Sequence, residues 1–559
     1  MRLRTLIGGG LALAIAAFPI MGRNARARSQ ISPMQRVNAA AAGAKRALGA
    51  RVRYLSSAWQ NALGINARIE IAKALGTPVD LDQIPLLEAP SASMQLNSFA
   101  PSSAPPNLSV LGTRFSGFTT NETSTAWCGD NVTVGFNDSG SPFESLGGSV
   151  VGYAQSSNAG TSYTDEGALP PFSTSGPTLL GDPIVVCNSS NNFFFSSIWT
   201  NCTTIDPFTG ICVGGTNGVS LSNSSNGGIT FGTPTAVVSV DITQHIVDKD
   251  WMTVDPNDAT NVFVTYTDFD ITGSNPGCNS LGDILASIQV VAFNTAGTPT
   301  ATMQVAQGAC DEVVQGSQVA AARDGTVYFA WEKIGIDGIT REIDLAKSTY
   351  SAGSFSVPTM LTTFPVQCAG DCSRLQGMIR SNEFPSLAVN KAGVVFIAWN
   401  DGDNQVPDAL ALFTSGGLTS SYGFTDVKFS KSTDGGATWS APLRVNTNPA
   451  PSVTDHFEPA LAVGSGRVAI CFYDRRNDPH NFLIDRYCAN STNGGASFTN
   501  TRITAQSFPS VTAQDFVLEP TYMGDYDTLT TDRLGLHTGF IGSYATNLPG
   551  YPAVRSKPF

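Results

Sequence analysis

The chain has 559 residues, enough for one large domain or several small ones, with 14% charged residues, 55 Gly and 32 Pro. Residues 1–76 hold twelve of the 32 Lys and Arg but only Glu70 of the 44 Asp and Glu, so the remaining body is strongly acidic. That balance excludes nucleic acid as a partner, because a phosphate backbone needs a basic surface.

The N-terminus reads as an export signal. Arg2 and Arg4 precede an apolar stretch, 6–21, and the small-residue pattern Ala25-Arg26-Ala27 follows. A basic start, a short apolar run and such a site describe a signal peptide, 1–27. An uncleaved anchor is the other reading, but the run is short and glycine-rich for a span. No later segment could cross a bilayer, so the mature protein is expected to be soluble and extracellular or periplasmic. Residues 28–76 form a basic extension with Val52, Leu55, Trp59, Leu63, Ile65 and Ile69 at helical spacing, and Gly64 divides it into two helices. It reads either as a pro-segment or basic arm docking on the acidic body, or as a helical hairpin packed against the domain's flank. A Pro/Ser-rich linker, 77–107, carries Pro78, Pro85, Pro90, Pro101, Pro105 and Pro106.

From 108 to 559 the pattern is all-β and repeats. Glu458-Pro459-Ala460-Leu461-Ala462-Val463 opens one strand, 467–474 makes a second and 482–489 a third. Then Ser491-Thr492-Asn493-Gly494-Gly495-Ala496-Ser497-Phe498 turns into a fourth near 501–504. The same order runs from Glu383 through Ser432-Thr433-Asp434-Gly435-Gly436. Acids opening the first strand fall at Asp182, Asp250, Glu383, Glu458 and Glu519, with gaps of 68, 133, 75 and 61. The gap of 133 spans two repeats and places a start at Gln315-Gly316-Ser317, while Glu122 opens the first copy. Four-stranded units repeated this way predict a β-propeller of seven blades, with six blades and irregular ends as the alternative. The last repeat lacks a clear fourth strand, which residues near 108–115 would supply.

Ten cysteines without zinc-type CxxC pairs suit disulfides in an oxidising compartment. Spacing suggests Cys202–Cys212, Cys278–Cys310, Cys368–Cys372 and Cys471–Cys488, leaving Cys128 for Cys187. The four histidines, His245, His456, His480 and His537, show no metal-ligand spacing.

The turn Ser432-x-Asp434-x-Gly436-x-Thr438-Trp439 carries the Asp-box, or BNR, signature. Weaker copies stand at Ser491/Asn493/Gly495/Ser497/Phe498, Ser224/Asn226/Gly228/Thr230/Phe231 and Ser156/Asn158/Gly160/Ser162/Tyr163, and a degenerate fifth ends at Ser354-Phe355. Over 110–559 the chain resembles secreted BNR-repeat proteins of the sialidase superfamily. The box itself is a turn: Asp or Asn caps backbone amides and Gly takes positive φ. The resemblance implies boxes on the outer turn between third and fourth strands. It also implies an active face made of first-strand starts and the loops after second strands.

On that face the second-strand ends are Phe136-Asn137-Asp138, Tyr266-Thr267-Asp268, Trp331-Glu332-Lys333, Trp399-Asn400-Asp401 and Tyr473-Asp474-Arg475-Arg476. Sialidases are known by three arginines that grip a carboxylate, a Tyr–Glu pair, an Asp acid and an Arg-Ile-Pro motif. This chain has no such motif and no Arg opening an inner strand; Arg380, Arg475, Arg476 and Arg533 are the rim candidates. A funnel of carboxylates repels an anionic sugar. Three readings follow. In the first, a glycoside hydrolase acts on a neutral or basic sugar, with Glu458 and Glu519 as catalytic carboxylates beside Asp474 and Tyr526. Its substrate would contact Glu383, Arg475, Arg476, Tyr473, Trp399 and Asp250. In the second, the acids bind a hard cation such as Ca²⁺. The third is a non-catalytic glycan- or protein-binding module whose aromatics Tyr473, Trp399 and Tyr266 stack on a partner.

Overall fold

Short β-branched and aromatic runs broken by Gly and Asn pair with their chain neighbours as antiparallel meanders. The computed structural model describes residues 120–558 apart from 139–148, 174–176, 206–211, 273–277, 279–283, 295–296, 373, 377–378, 409–418, 450–451, 509–522 and 549–550. The expected signal peptide (1–27), helical extension (28–76) and linker (77–107) all lie outside the described residues.

The first sheet pairs Thr120–Cys128, Asn131–Asp138, Val151–Ser156 and Thr164–Ala168 in order. Five further sheets repeat that order over 178–241, 245–307, 313–366, 386–444 and 456–502. A seventh has three strands, Leu529–Thr531, Phe540–Leu548 and Tyr551–Pro558. The stretch near 108–115 expected to complete it lies outside the described residues. The fold is an all-β propeller with six full blades and this three-stranded sheet, and no described residue is helical. Among the described residues no helix is long and apolar enough to cross a membrane.

The inner strands close a ring. Thr120–Cys128 touches Thr178–Cys187, and contact passes through His245–Val254, Val313–Ala321, Ser386–Val389, His456–Gly464 and Leu529–Thr531 back to Thr120–Cys128. Backbone amides of one inner strand donate to side chains of its neighbour. Val185 N donates to Ser124 Oγ at 2.9 Å, Leu387 N to Gln318 Oε1 at 2.7 Å and Leu461 N to Ser386 Oγ at 2.9 Å. Thr125 N closes the circle on Thr528 Oγ1 at 2.6 Å. These bonds satisfy amides that would otherwise be orphaned where blades meet.

Apolar clusters fill the wedges between blades. Phe396 and Phe429 of the fifth sheet pack on Ile470 and Phe472 of the sixth, and Tyr153 of the first on Phe195 and Phe231 of the second. Each such buried ring contributes about 1.5–3 kcal/mol. Cys128–Cys187 ties the first two inner strands together, and Cys278–Cys310, Cys368–Cys372 and Cys471–Cys488 also form. The side chains of Cys202 and Cys212 are not among those described.

The four Gly-rich turns share one hydrogen-bond pattern between third and fourth strands. In each, the first Ser bonds the Asn or Asp side chain and accepts from the Gly amide, while the Asn or Asp accepts from the Ser or Thr amide. The turns also join blades. Gly495, at φ 84°, has no room for a Cβ against the Phe429 ring of the preceding blade, and Lys431 Nζ reaches Gly494 O at 2.6 Å.

Candidate functional site

Five of the seven inner strands begin with a β-bulge, and the bulge decides which side chain turns to the axis. The register breaks at Glu122, Asp182, Lys249, Gly316 and Glu458, all at positive φ between 49° and 68°. Glycine takes this backbone freely, as Gly316 does. A charged residue there costs about 1–2 kcal/mol of backbone strain. Four of the five bulges nonetheless carry a charge, the kind of strain held at functional sites.

The charges meet. Lys249 Nζ lies 2.7 Å from Glu122 Oε1, 2.7 Å from Asp525 Oδ2 and 3.4 Å from Asp182 Oδ1. Lys249 N also donates to Asp182 Oδ2 at 2.9 Å, and Asn137 Nδ2 to Glu122 Oε2 at 2.7 Å. Arg380 clamps Asp525 with two bonds, Nε at 3.0 Å and a terminal nitrogen at 2.5 Å. Residues of the first, second and third sheets, the segment before the fifth and the approach to the seventh therefore share one axial cluster. Glu458, from the sixth, is 5% exposed, and its Oε1 has no hydrogen-bond partner. Behind it Asp527 accepts from Thr123 Oγ1 at 2.7 Å and pairs with Arg486 at 3.2 Å.

Burial and these partners drive the carboxyls apart. Burial pushes Asp525 up, but Arg380 and then Lys249 outweigh it and hold it at about 2. Burial pushes Glu122 up to about 8, with Lys249 opposing only in part. Burial, then the Asp527 and Asp525 charges, lift Glu458 well above the carboxylate range. An ionised carboxylate beside a protonated one is the arrangement that assigns acid and base roles. Burial also raises the Tyr526 phenol, whose hydroxyl donates to Pro183 O at 3.2 Å.

A pH dependence of stability follows. Glu122 has an ordinary value of 4.5 and a folded value of about 8, so its contribution is whole below 4.5 and is lost as pH rises through 8. Asp525 is the reverse, present above 3.8 and lost as pH falls through about 2. The melting temperature is expected to peak near pH 4–5 and to fall steadily toward pH 8–9. Scanning calorimetry across pH 3–9 checks this, and a profile rising from 5 to 8 contradicts it.

The structure brings Glu458 and Tyr526 to the cluster, whereas Glu519 lies outside the described residues. Asp250, next to the bulge, faces away from Lys249 and accepts from Ser196 Oγ at 2.5 Å. Glu383 turns to the fourth sheet, where it takes the Ala369 amide and stands 3.5 Å from Arg341, itself 2.7 Å from Glu332. Asp474 is held by Arg476 at 2.6 Å, and Arg476 also reaches Asn500 on the outer strand at 3.0 Å. Arg475 is buried against Asp455 at 3.1 Å. Tyr473 Oη donates to Ala545 O and accepts from Ala545 N, pinning the sixth sheet to the seventh. Trp399 is 1% exposed and stacks on Phe364 in the core. Arg533 sits at the opposite end of the axis, 3.3 Å from Val254 O.

Sequence reasoning passed over Lys249, Asp525 and Asp527. The first hides beside Asp250, and the other two flank Tyr526 in a repeat that lacks its usual spacing. Among the described residues no group of three or more His, Cys, Asp or Glu is placed to hold a metal ion. The axial acids instead surround the cations of Lys249 and Arg380.

No family model matches the chain, and no curated protein matches its sequence. Solved structures resemble it in fold alone. A Dyadobacter fermentans protein of unknown function is 11% identical, with a TM-score of 0.38 over 80% of this chain and 96% of that one. An α-L-arabinofuranosidase from Fusarium graminearum, solved with an iminosugar inhibitor, is 13% identical, with a TM-score of 0.36 over 66% and 89%. An α-L-arabinanase from Penicillium chrysogenum, solved with arabinobiose, is 11% identical, with a TM-score of 0.31 over 56% and 93%.

Proposed function

We propose that this is a secreted, sialidase-superfamily propeller that hydrolyses a neutral or basic glycoside at the axial cluster. One observation carries the reading. Burial and the neighbouring acids lift the Glu458 carboxyl well above its ordinary value, with one oxygen unpartnered, beside Asp525, which Arg380 and Lys249 hold low. Glu458 gives its proton to the leaving-group oxygen as the glycosidic C–O bond breaks. Asp525 either takes a proton from the attacking water or attacks the anomeric carbon itself, and the product's configuration tells which. Lys249 and Arg380 keep Asp525 charged until the oxocarbenium-like centre develops.

A sialic-acid carboxylate finds no free clamp here. Arg341 faces Glu332, Arg380 faces Asp525, Arg475 faces Asp455 and Arg486 faces Asp527. The four equivalent Ser-x-Asn/Asp-x-Gly-x-Ser/Thr turns support the superfamily assignment, and the four disulfides support export. A panel of fluorogenic glycosides tests the reading. Turnover of a neutral or basic glycoside, with none of the sialoside, is the expected result. Release from the sialoside overturns it. A binding module is the second reading, favoured by the way Lys249 fills the space between the acids, and glycan-array binding without turnover would establish it.

A further inference from the structure

Downstream of the bulges the inner strands surround a cavity of about 890 Å³, lined by all seven sheets. Its mouth opens at the end of the axis away from the acids, and Arg323, Lys391, Arg467 and Arg533 line it. Arg323 and Lys391 are exposed and make no hydrogen bond or ion pair with the described residues. Arg467 bonds Thr538 O at 2.6 Å, and Arg533 bonds the carbonyls of Val254 and Asp255 at 3.3 and 3.5 Å. None of the four has a carboxylate partner there.

Most other described cations are neutralised: Lys249, Arg341, Arg380, Lys428, Arg475, Arg476, Arg486 and Arg502 sit on carboxylates, while Lys347 and Lys431 bond the carbonyls of Gly435 and Gly494. The acids of the mouth are already committed. Asp532 accepts four backbone amides, of Gly129, Leu534, Leu536 and His537, and Asp255 accepts that of Asn257. Arg533 crosses from the seventh sheet to the third, and Lys391 Nζ leans from the fifth toward Gly535 on the same loop. Burial presses the Arg533 guanidinium below its ordinary value; the Asp255 carboxylate opposes this in part, and the Arg323 charge adds to it. Four cations gathered at one mouth without an ion-pair partner attract an external anion.

We infer that this mouth binds the end of a polyanionic glycan bearing sulfate or carboxylate groups. Charges drawn from four blades meet several anionic groups at once, and guanidinium forks suit both oxyanions. The cavity behind the four cations gives the end of such a chain room to enter between the blades. That the chain is a saccharide rests on the glycan-directed reading above; its negative charge does not.

Calorimetric titration of the full chain with a heparin oligosaccharide at low ionic strength is expected to show saturable binding that salt weakens. Arg323→Ser with Lys391→Ser, both in exposed turns, should weaken it at least ~10-fold with an unchanged melting temperature. The basic residues 1–76 are common to both proteins, so the difference reports the mouth. No binding, or equal binding by the double variant, overturns the inference. Equal competition by polyglutamate overturns the saccharide assignment, and full saturation of the mouth by inorganic sulfate overturns the chain. Glycoside turnover at the other end is measured separately, so either idea can fail alone.

Discussion

Replacing Lys249 with Met is expected to destabilise the propeller by about 3–5 kcal/mol, the range for stranding buried charge without its partner. The ammonium is 6% exposed and lies within 3.4 Å of three carboxylates, from the first sheet, the second sheet and the approach to the seventh. Met keeps the volume of the stem and removes only the charge. The deficit should be largest at pH 8, where Glu122 titrates at about 8 in the intact protein. It should shrink toward pH 4, where the stranded acids can be neutralised by protons. Denaturant unfolding at both pH values reads the two effects. A variant as stable as the parent at pH 8 would mean that the cluster does not hold the ring.

Glu458→Gln should lower turnover by about 10²–10⁴-fold, the usual contribution of a positioned proton donor. Its melting temperature should barely move, because a protonated Glu and a Gln have nearly the same shape and charge. That separation matters, since Asp525→Asn breaks pairs with both Lys249 and Arg380 and perturbs folding as well. Substrates with good leaving groups need less acid assistance and should lose less. Equal loss on activated and unactivated glycosides would remove Glu458 from the donor role.

What could be read from the sequence follows from how local each signal is. The Gly-rich turns were legible because Ser, Asn and Gly fix their geometry within eight residues. Glu122, Asp182 and Glu458 were legible because the repeat marks the start of each inner strand. The neighbour that faces the axis was not, because side chains alternate with a period of two and a bulge resets the register. Asp250 fits the acidic pattern, yet Lys249 holds the positive-φ site. Glu383 is one place early: Phe384 precedes Ser386 by two residues, as Glu458 precedes Ala460. Asp525 and Arg380 lie outside the clear repeats, and only the closed ring brings them together.

The protonation of Glu458 is the physical claim on which the chemistry depends. Infrared difference spectra between the parent and Glu458→Gln at neutral pH test it directly. A carbonyl stretch from an un-ionised carboxyl, present in the parent and missing from the variant, is the predicted result. A carboxylate band in its place would show Glu458 charged at neutral pH and contradict the assignment of acid and base on the axis.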